Sequence, residues 1–159
     1  VGSITKLIAP TRFGLVQDFI DFAFGRENTF YDGDDESVRH VPMIDAFDRD
    51  LSAAFLATAA MEGYPIPANV VYVTTNGPRF ETPAEIEAFR RIGGDVVGMT
   101  LGTEVALLRE AGIRNASVAY SINWAAGLDA EGMAFMEGES IMKMVSLVID
   151  LAEKTLMKI

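Results

Sequence analysis

Apolar and polar positions along the chain switch between a period of two and a period near 3.6, and the switches mark a succession of strands and helices. Residues 4–8 and 13–20 mix β-branched and aromatic side chains around Pro10, which predicts two short strands joined by a turn. Ahead of them, Val1-Gly2-Ser3-Ile4 reads as the end of a strand. Residues 24–38 are polar, with Gly25, Gly33 and an acidic run from Asp32 to Glu36. That composition predicts a surface loop, and loops of such length often carry function. From Ile44 to Gly63 the period becomes helical, with Leu51, Ala54, Phe55, Thr58 and Met61 on one side and Gly63 as the stop.

Gly63-Tyr64-Pro65-Ile66-Pro67 then breaks the chain, and Asn69 to Thr75 reads as a buried strand. A second helix is expected from Thr82-Pro83-Ala84-Glu85, where Thr82 caps, Pro83 occupies the first turn and Glu85 completes a capping box. Gly93-Gly94 ends it. Asp95 to Met99 predicts a short strand, Glu104 to Ala111 a helix stopped by Gly112, and Ala116 to Ile122 a further strand. In the last helix Ile141, Met144, Val145, Val148, Ile149 and Ala152 share a face. Strands alternating with helices predict one α/β domain, a sheet flanked by helices, over residues 1–159.

Composition narrows the chemistry. Lys and Arg number 13 against 23 Asp and Glu, giving a net charge of −10. A field of that sign disfavours nucleic acid and anionic membrane as general partners, although a local cluster of donors can still hold a small anion. With no cysteine, thiol catalysis, disulfides and Cys-ligated zinc are removed. A single histidine, His40, leaves little for a histidine metal site or a Ser-His-Asp relay. The most apolar run, Ala53 to Met61, is too short to span a bilayer, and no signal segment opens the sequence, so a cytoplasmic protein is expected.

No generic nucleotide-binding motif is present, but three strand ends carry candidate chemistry. Asn76-Gly77-Pro78-Arg79-Phe80-Glu81-Thr82 joins a strand to a capped helix, the end of an α/β sheet where ligands usually bind. Val97-Gly98-Met99-Thr100 leads into the helix that contains Glu104. Ser121-Ile122-Asn123-Trp124-Ala125-Ala126-Gly127 places a polar Asn after an apolar strand. By spacing alone, each is also compatible with an ordinary turn or cap.

Taken together, the run from Asn76 to Ala111 resembles the trimeric purine nucleoside phosphorylase and methylthioadenosine phosphorylase family. Thr29-Phe30-Tyr31-Asp32-Gly33 and Ser37-Val38-Arg39-His40-Val41-Pro42-Met43 resemble its methylthioadenosine branch. Ser121 to Gly127 is similar to the 6-oxopurine and methylthioinosine members. The resemblance covers nearly the whole sequence and implies a nucleoside phosphorylase-like mixed sheet, a homotrimer, phosphate as co-substrate and no cofactor or metal. It implies that Phe80 packs on the purine, Glu81 accepts from its N1–H edge, and Asn123 contacts N7 and O6 as the catalytic amide. Met99 would lie against the ribose, Thr100 would donate to phosphate, and His40 would reach a neighbouring subunit's 5′ site.

Three departures qualify the resemblance. The family's glycine-rich phosphate loop and Arg-His segment, which precede this region, have no counterpart, so the sequence reads as an N-terminally truncated, C-terminal portion of the fold. Thr103 stands where a proline is usual, and Ile8-Ala9-Pro10-Thr11-Arg12-Phe13 replaces a Pro-Gly-Asp turn. Glu81 and Asn123 differ from the Ser and Asp of adenine-preferring members, favouring inosine, guanosine or methylthioinosine over methylthioadenosine. Three functions stay open at this point: a 6-oxopurine nucleoside phosphorylase, a shortened relative that keeps purine binding or trimer assembly without turnover, or a methylthioadenosine phosphorylase.

Overall fold

The computed structural model describes residues 1–32, 38–129 and 135–159. Within them, strands β1 (Gly2–Ser3), β2 (Phe13–Asp21), β3 (Val70–Thr74), β4 (Val96–Gly98), β5 (Ser117–Tyr120) and β6 (Asn123–Trp124) form one six-stranded sheet. Its spatial order is β5-β2-β3-β4-β1-β6. Strands β2, β3 and β4 run parallel, β5 is antiparallel to β2, β1 is antiparallel to β4, and β6 is parallel to β1. Helices α1 (Arg49–Met61), α2 (Pro83–Arg91), α3 (Leu101–Glu110) and α4 (Gly138–Leu156) flank it. The expected mixed α/β sheet is the one that forms.

Connectivity forces the sheet to curl. β5 and β6 lie at opposite edges, yet only Ser121 and Ile122 separate them in the chain. Five inter-strand gaps would span roughly 24 Å if the sheet were flat, whereas the three Cα steps from Tyr120 to Asn123 reach about 11 Å at most. The edges therefore fold toward each other. Ser121 N donates to Arg12 O at 2.9 Å and Ile122 N to Val1 O at 3.1 Å, stitching the closure from both sides. The buried hydroxyls of Ser3 and Ser121 meet at 2.5 Å in the same place.

Alternation along the central strands builds two cores. Val70, Tyr72 and Val96 pack with Val16, Leu101 and Val105, while Val73 and Val97 face Ile4, Ile86 and Phe89. A strand buried on both faces reads as a continuous apolar run, which is why Asn69 to Thr75 was legible. Each such side chain contributes about 1.5–3 kcal/mol by leaving water. A third cluster joins α1 to α4 through Phe55, Ala59 and Leu151 over Phe13 and Leu15.

Several expected elements are corrected. Residues 4–8 form no strand: β1 ends at Ser3, because Ile4 N and Thr5 N both turn to Asp95 O, and the Thr5 hydroxyl caps a 3-10 turn over Lys6–Ile8. Helix α1 starts at Arg49, not near Ile44, since the Asp48 carboxylate accepts from Leu51 N at 2.9 Å. Arg114 grips that carboxylate at 2.6 and 3.0 Å and, with the Leu51 N–H, holds it far below the usual carboxylate range. The buried side of α1 is Phe55, Thr58 and Ala59, and Met61 faces solvent. Helix α3 begins at Leu101, ahead of the expected Glu104, where Gly102 N donates to the Thr74 hydroxyl at 3.0 Å.

On α4 Leu151 and Thr155 are buried and Met144, Leu147, Val148 and Ala152 partly buried beside them, while Val145 and Ile149 are exposed. Apolar residues occupy more than half of that helix's circumference, so the pattern left the direction of its core face ambiguous. The acidic stretch at 33–36 and the Gly33 and Ser37 positions of the resemblance lie outside the described residues.

Candidate functional site

Because β2, β3 and β4 are parallel, the segments that follow them leave the sheet at one edge. These are residues 22–26, the loop 75–82 and Met99-Thr100. Asn123 joins them through the sheet register: Gly2 of β1 pairs with Val97 on one side and Asn123 on the other. Four separate stretches of sequence thus converge at the carboxyl ends of the parallel strands, the usual ligand position in α/β sheets.

A cavity of about 200 Å³ lies there, and Phe80, Glu81, Met99 and Asn123 all line it. Gly2, Phe135 and the apolar Val97, Ile122 and Ala125 complete its wall. Four of the sequence-predicted residues therefore share one cavity. Thr100 lines the adjoining cavity of about 290 Å³ with Tyr72, Glu104 and Tyr120, and Val1 borders both. His40 is exposed and lines neither.

Each side chain is set by local chemistry. The loop 75–82 is fixed at its far end by the predicted capping box: Thr82 Oγ1 accepts from Glu85 N at 3.2 Å, and Glu85 accepts from Thr82 N at 2.7 Å. Arg79 bonds the same Glu85 carboxylate at 2.9 and 2.7 Å. Arg79 and the Thr82 N–H together hold the Glu85 carboxyl down at about 2. At the near end the Thr75 hydroxyl donates to Glu81 Oε1 at 2.6 Å, leaving the other carboxylate oxygen for a ligand. Phe80 packs on Phe135 with ring centroids 5.4 Å apart, a tilted aromatic pair at the rim.

Asn123 is buried, and its Nδ2 donates to Trp124 O at 2.7 Å. An amide nitrogen carries two hydrogens, so one remains to donate. Close approach explains two glycines. Gly77 has φ +64°, and a Cβ there would stand 2.4 Å from the Met99 sulfur. At Gly98 a Cβ would stand 1.9 Å from the Tyr72 hydroxyl. That hydroxyl accepts from the backbone and side chain of Thr100, and burial pushes its pKa up to about 12, so Tyr72 stays neutral at physiological pH.

Sequence reasoning missed Arg26 and Tyr72. Arg26 donates to the carbonyls of Asn76 and Met99 from a stretch whose composition announced only a surface loop. Tyr72 sits inside an apolar strand, where nothing in the pattern distinguishes a site residue from a core one. Among the described residues no group of His, Cys, Asp or Glu could hold a metal ion, and no helix is long and apolar enough to cross a membrane.

The chain matches a family model described as the phosphorylase superfamily over residues 1–157. It is 51% identical over 120 residues to the probable S-methyl-5'-thioinosine phosphorylase of Methanopyrus kandleri, covering 76% of this chain and 46% of that protein. To the 6-oxopurine nucleoside phosphorylase of Pyrococcus furiosus it is 36% identical over 167 residues, covering 97% and 63%. The structure of methylthioadenosine phosphorylase from Schistosoma mansoni in complex with adenine superposes with a TM-score of 0.81 at 27% identity, over 98% of this chain and 60% of that one. The chain thus spans about half the length of the curated relatives it matches.

Proposed function

The chain belongs to the phosphorylase superfamily, and from that premise we propose that its site serves phosphorolysis of 6-oxopurine nucleosides, releasing the free base and a pentose 1-phosphate. The observation that carries this reading is the convergence of Glu81 and Asn123, one acceptor and one donor, on the cavity walled by Phe80 and Met99. At about 200 Å³ it is smaller than the roughly 300–1,000 Å³ of sites that enclose drug-sized ligands, which suits the base while the sugar lies toward Met99 and Thr100.

The chemistry follows from where charge develops. Phosphorolysis breaks the glycosidic bond through an oxocarbenium-like sugar, and negative charge builds on the departing purine. The Asn123 amide, donating to N7 or O6, binds that charge more strongly than the neutral base, which is differential stabilisation. Glu81 accepts from N1–H of hypoxanthine or guanine. Adenine offers a bare acceptor at N1, so it would face the carboxylate with repulsion and leave a buried group unpaired. Thr100 donates to phosphate, and Tyr72 orients Thr100. His40 belongs to a neighbouring subunit's 5′ site in a homotrimer, which accounts for its exposed position in one chain. The reaction takes phosphate as co-substrate and no cofactor.

The relatives carry phosphorylase names, and no observation favours a role confined to binding or assembly. Methylthioinosine stands beside inosine and guanosine as a substrate of the same base chemistry. Calorimetry with hypoxanthine and adenine, together with an inosine phosphorolysis assay, tests the proposal. Tighter hypoxanthine binding with hypoxanthine release from inosine is expected. Equal or tighter adenine binding, or no purine binding at all, overturns it.

A further inference from the structure

The segment after β2 is fastened to the site by a network that runs through the backbone of its loops. Phe22 N donates to Thr74 O at 2.9 Å. Phe24 N donates to Asn76 Oδ1 at 3.0 Å, and Asn76 Nδ2 returns a bond to Phe24 O at 3.1 Å. Gly25, at φ +69°, then turns the chain so that the half-buried Arg26 points back at the sheet edge. One terminal nitrogen of Arg26 donates to Asn76 O at 2.5 Å, and the other donates to Met99 O.

Those two carbonyls belong to different loops. Asn76 opens the loop that carries Phe80 and Glu81, and Met99 is itself a wall of the cavity. Besides Arg26, the contacts between these two ends include the β3–β4 ladder, bonds from Thr75 N and the Thr75 hydroxyl to Gly98 O at 2.9 and 3.4 Å, the bond from Gly102 N to the Thr74 hydroxyl at 3.0 Å, and packing of Met99 on Gly77. A guanidinium is a rigid planar fork, so two carbonyls bonded to its two ends are held at a fixed separation and angle. A lysine ammonium is a point donor on a flexible stem and cannot impose that geometry.

We infer that Arg26 is a positioning residue: it clamps the base-facing loop after β3 to the sugar-facing Met99 after β4 and so sets the width of the cavity. The inference rests on the purine-site reading for its consequence in binding, but not for its structural content. Arg26 touches no proposed substrate atom and acts through the two loops.

The test uses the full chain with Arg26→Lys, Arg26→Ala and, as a surface control on α2, Arg90→Ala. Two measurements are made without ligand: the methyl resonance of 13C-labelled Met99, and hydrogen exchange of the amides of Gly77, Phe80 and Glu81. Both Arg26 variants are expected to shift the Met99 resonance and speed loop exchange, with core amides of β3 unchanged. Hypoxanthine affinity should fall about tenfold or more, in line with the sensitivity of oriented sites to sub-ångström misplacement. An unmoved Met99 resonance with unchanged loop exchange overturns the clamp. So does a uniform acceleration of core and loop exchange together, which marks global destabilisation instead. Where the alanine variant is too unstable to measure, the lysine variant decides on the same readouts. If the wild-type chain binds no hypoxanthine, the purine reading fails, while resonance and exchange still judge Arg26.

Discussion

Replacing Gly98 with alanine tests how tightly the end of β4 is packed against the site. The added Cβ would lie 1.9 Å from the Tyr72 hydroxyl oxygen, 2.7 Å from Cζ of the same ring and 3.2 Å from a Val1 methyl. Tyr72 is buried at 6% exposure in the core and cannot swing into solvent, so ring or backbone must retreat by about 1 Å. Overpacking of this kind costs about 1–3 kcal/mol, and displacing the hydroxyl from Thr100 adds about 0.5–1.5 kcal/mol. A total loss of about 1.5–4.5 kcal/mol follows. Removing the hydroxyl with Tyr72→Phe takes away the 1.9 Å conflict but leaves the ring carbon at 2.7 Å, so rescue should be partial. Urea unfolding followed by the fluorescence of Trp124, the chain's single tryptophan, gives each stability in the double-mutant cycle. If the two substitutions add within about 0.5 kcal/mol, they do not meet, and the account of Gly98 is wrong.

The base-recognition roles predict that Asn123→Asp, which trades a donor for an acceptor, lowers the hypoxanthine-to-adenine affinity ratio by about tenfold; a constant ratio in calorimetry would refute the role of Asn123. For the helix pair, Leu151→Ala should cost about 2–5 kcal/mol, whereas Ile149→Ala, on the exposed side of α4, should stay within about 0.5 kcal/mol. Equal losses would restore the face expected from periodicity. The Glu85 carboxyl is held at about 2 by Arg79 and the Thr82 N–H, below its ordinary value of about 4.3. Its stabilising contribution is therefore complete above that ordinary value and is lost as pH falls toward 2. The stability gap between wild type and Glu85→Gln should close over that window and shrink in high salt, and a gap that persisted at pH 2 would show that the ion pair and cap do not set it.

Local signals were legible where one force dominates. The capping box at Thr82 and Glu85 could be read because its two hydrogen bonds need only residues three apart. β3 was visible because it is buried on both faces. Other errors share a cause, which is that a distant partner decides the outcome. Asp95 O ends β1 by collecting Ile4 N and Thr5 N, and Arg114 helps fix Asp48 as the start of α1. On α4, apolar residues cover more than half of the circumference, and the position of α1 and β2 selects Leu151 over Ile149 for burial.

The site shows the same division between residue type and placement. The cavity residues were identified through motif resemblance, yet their meeting depends on the curl of the sheet. Asn123 follows β5 at one edge and belongs to β6 at the other, where pairing with β1 sets it beside the Glu81 cavity, so the two residues before it must bridge edges that a flat sheet would hold roughly 24 Å apart. Ser3 and Ser121, meeting at 2.5 Å in the interior, sit at that bridge and bond across strands brought together by the closure. Ser121→Ala removes that contact and the bond from Ser121 Oγ to Asn123 O at 3.3 Å, while Ser3 keeps its bond to Ile8 O. The cost of Ser121→Ala should therefore fall on the closure and displace Asn123, while Phe80 and Glu81, carried on the opposite side by β3 and α2, keep their places. Purine selectivity arising from Asn123 would then weaken more than the contribution of Glu81, which separates the two halves of base recognition along the line where the sheet closes.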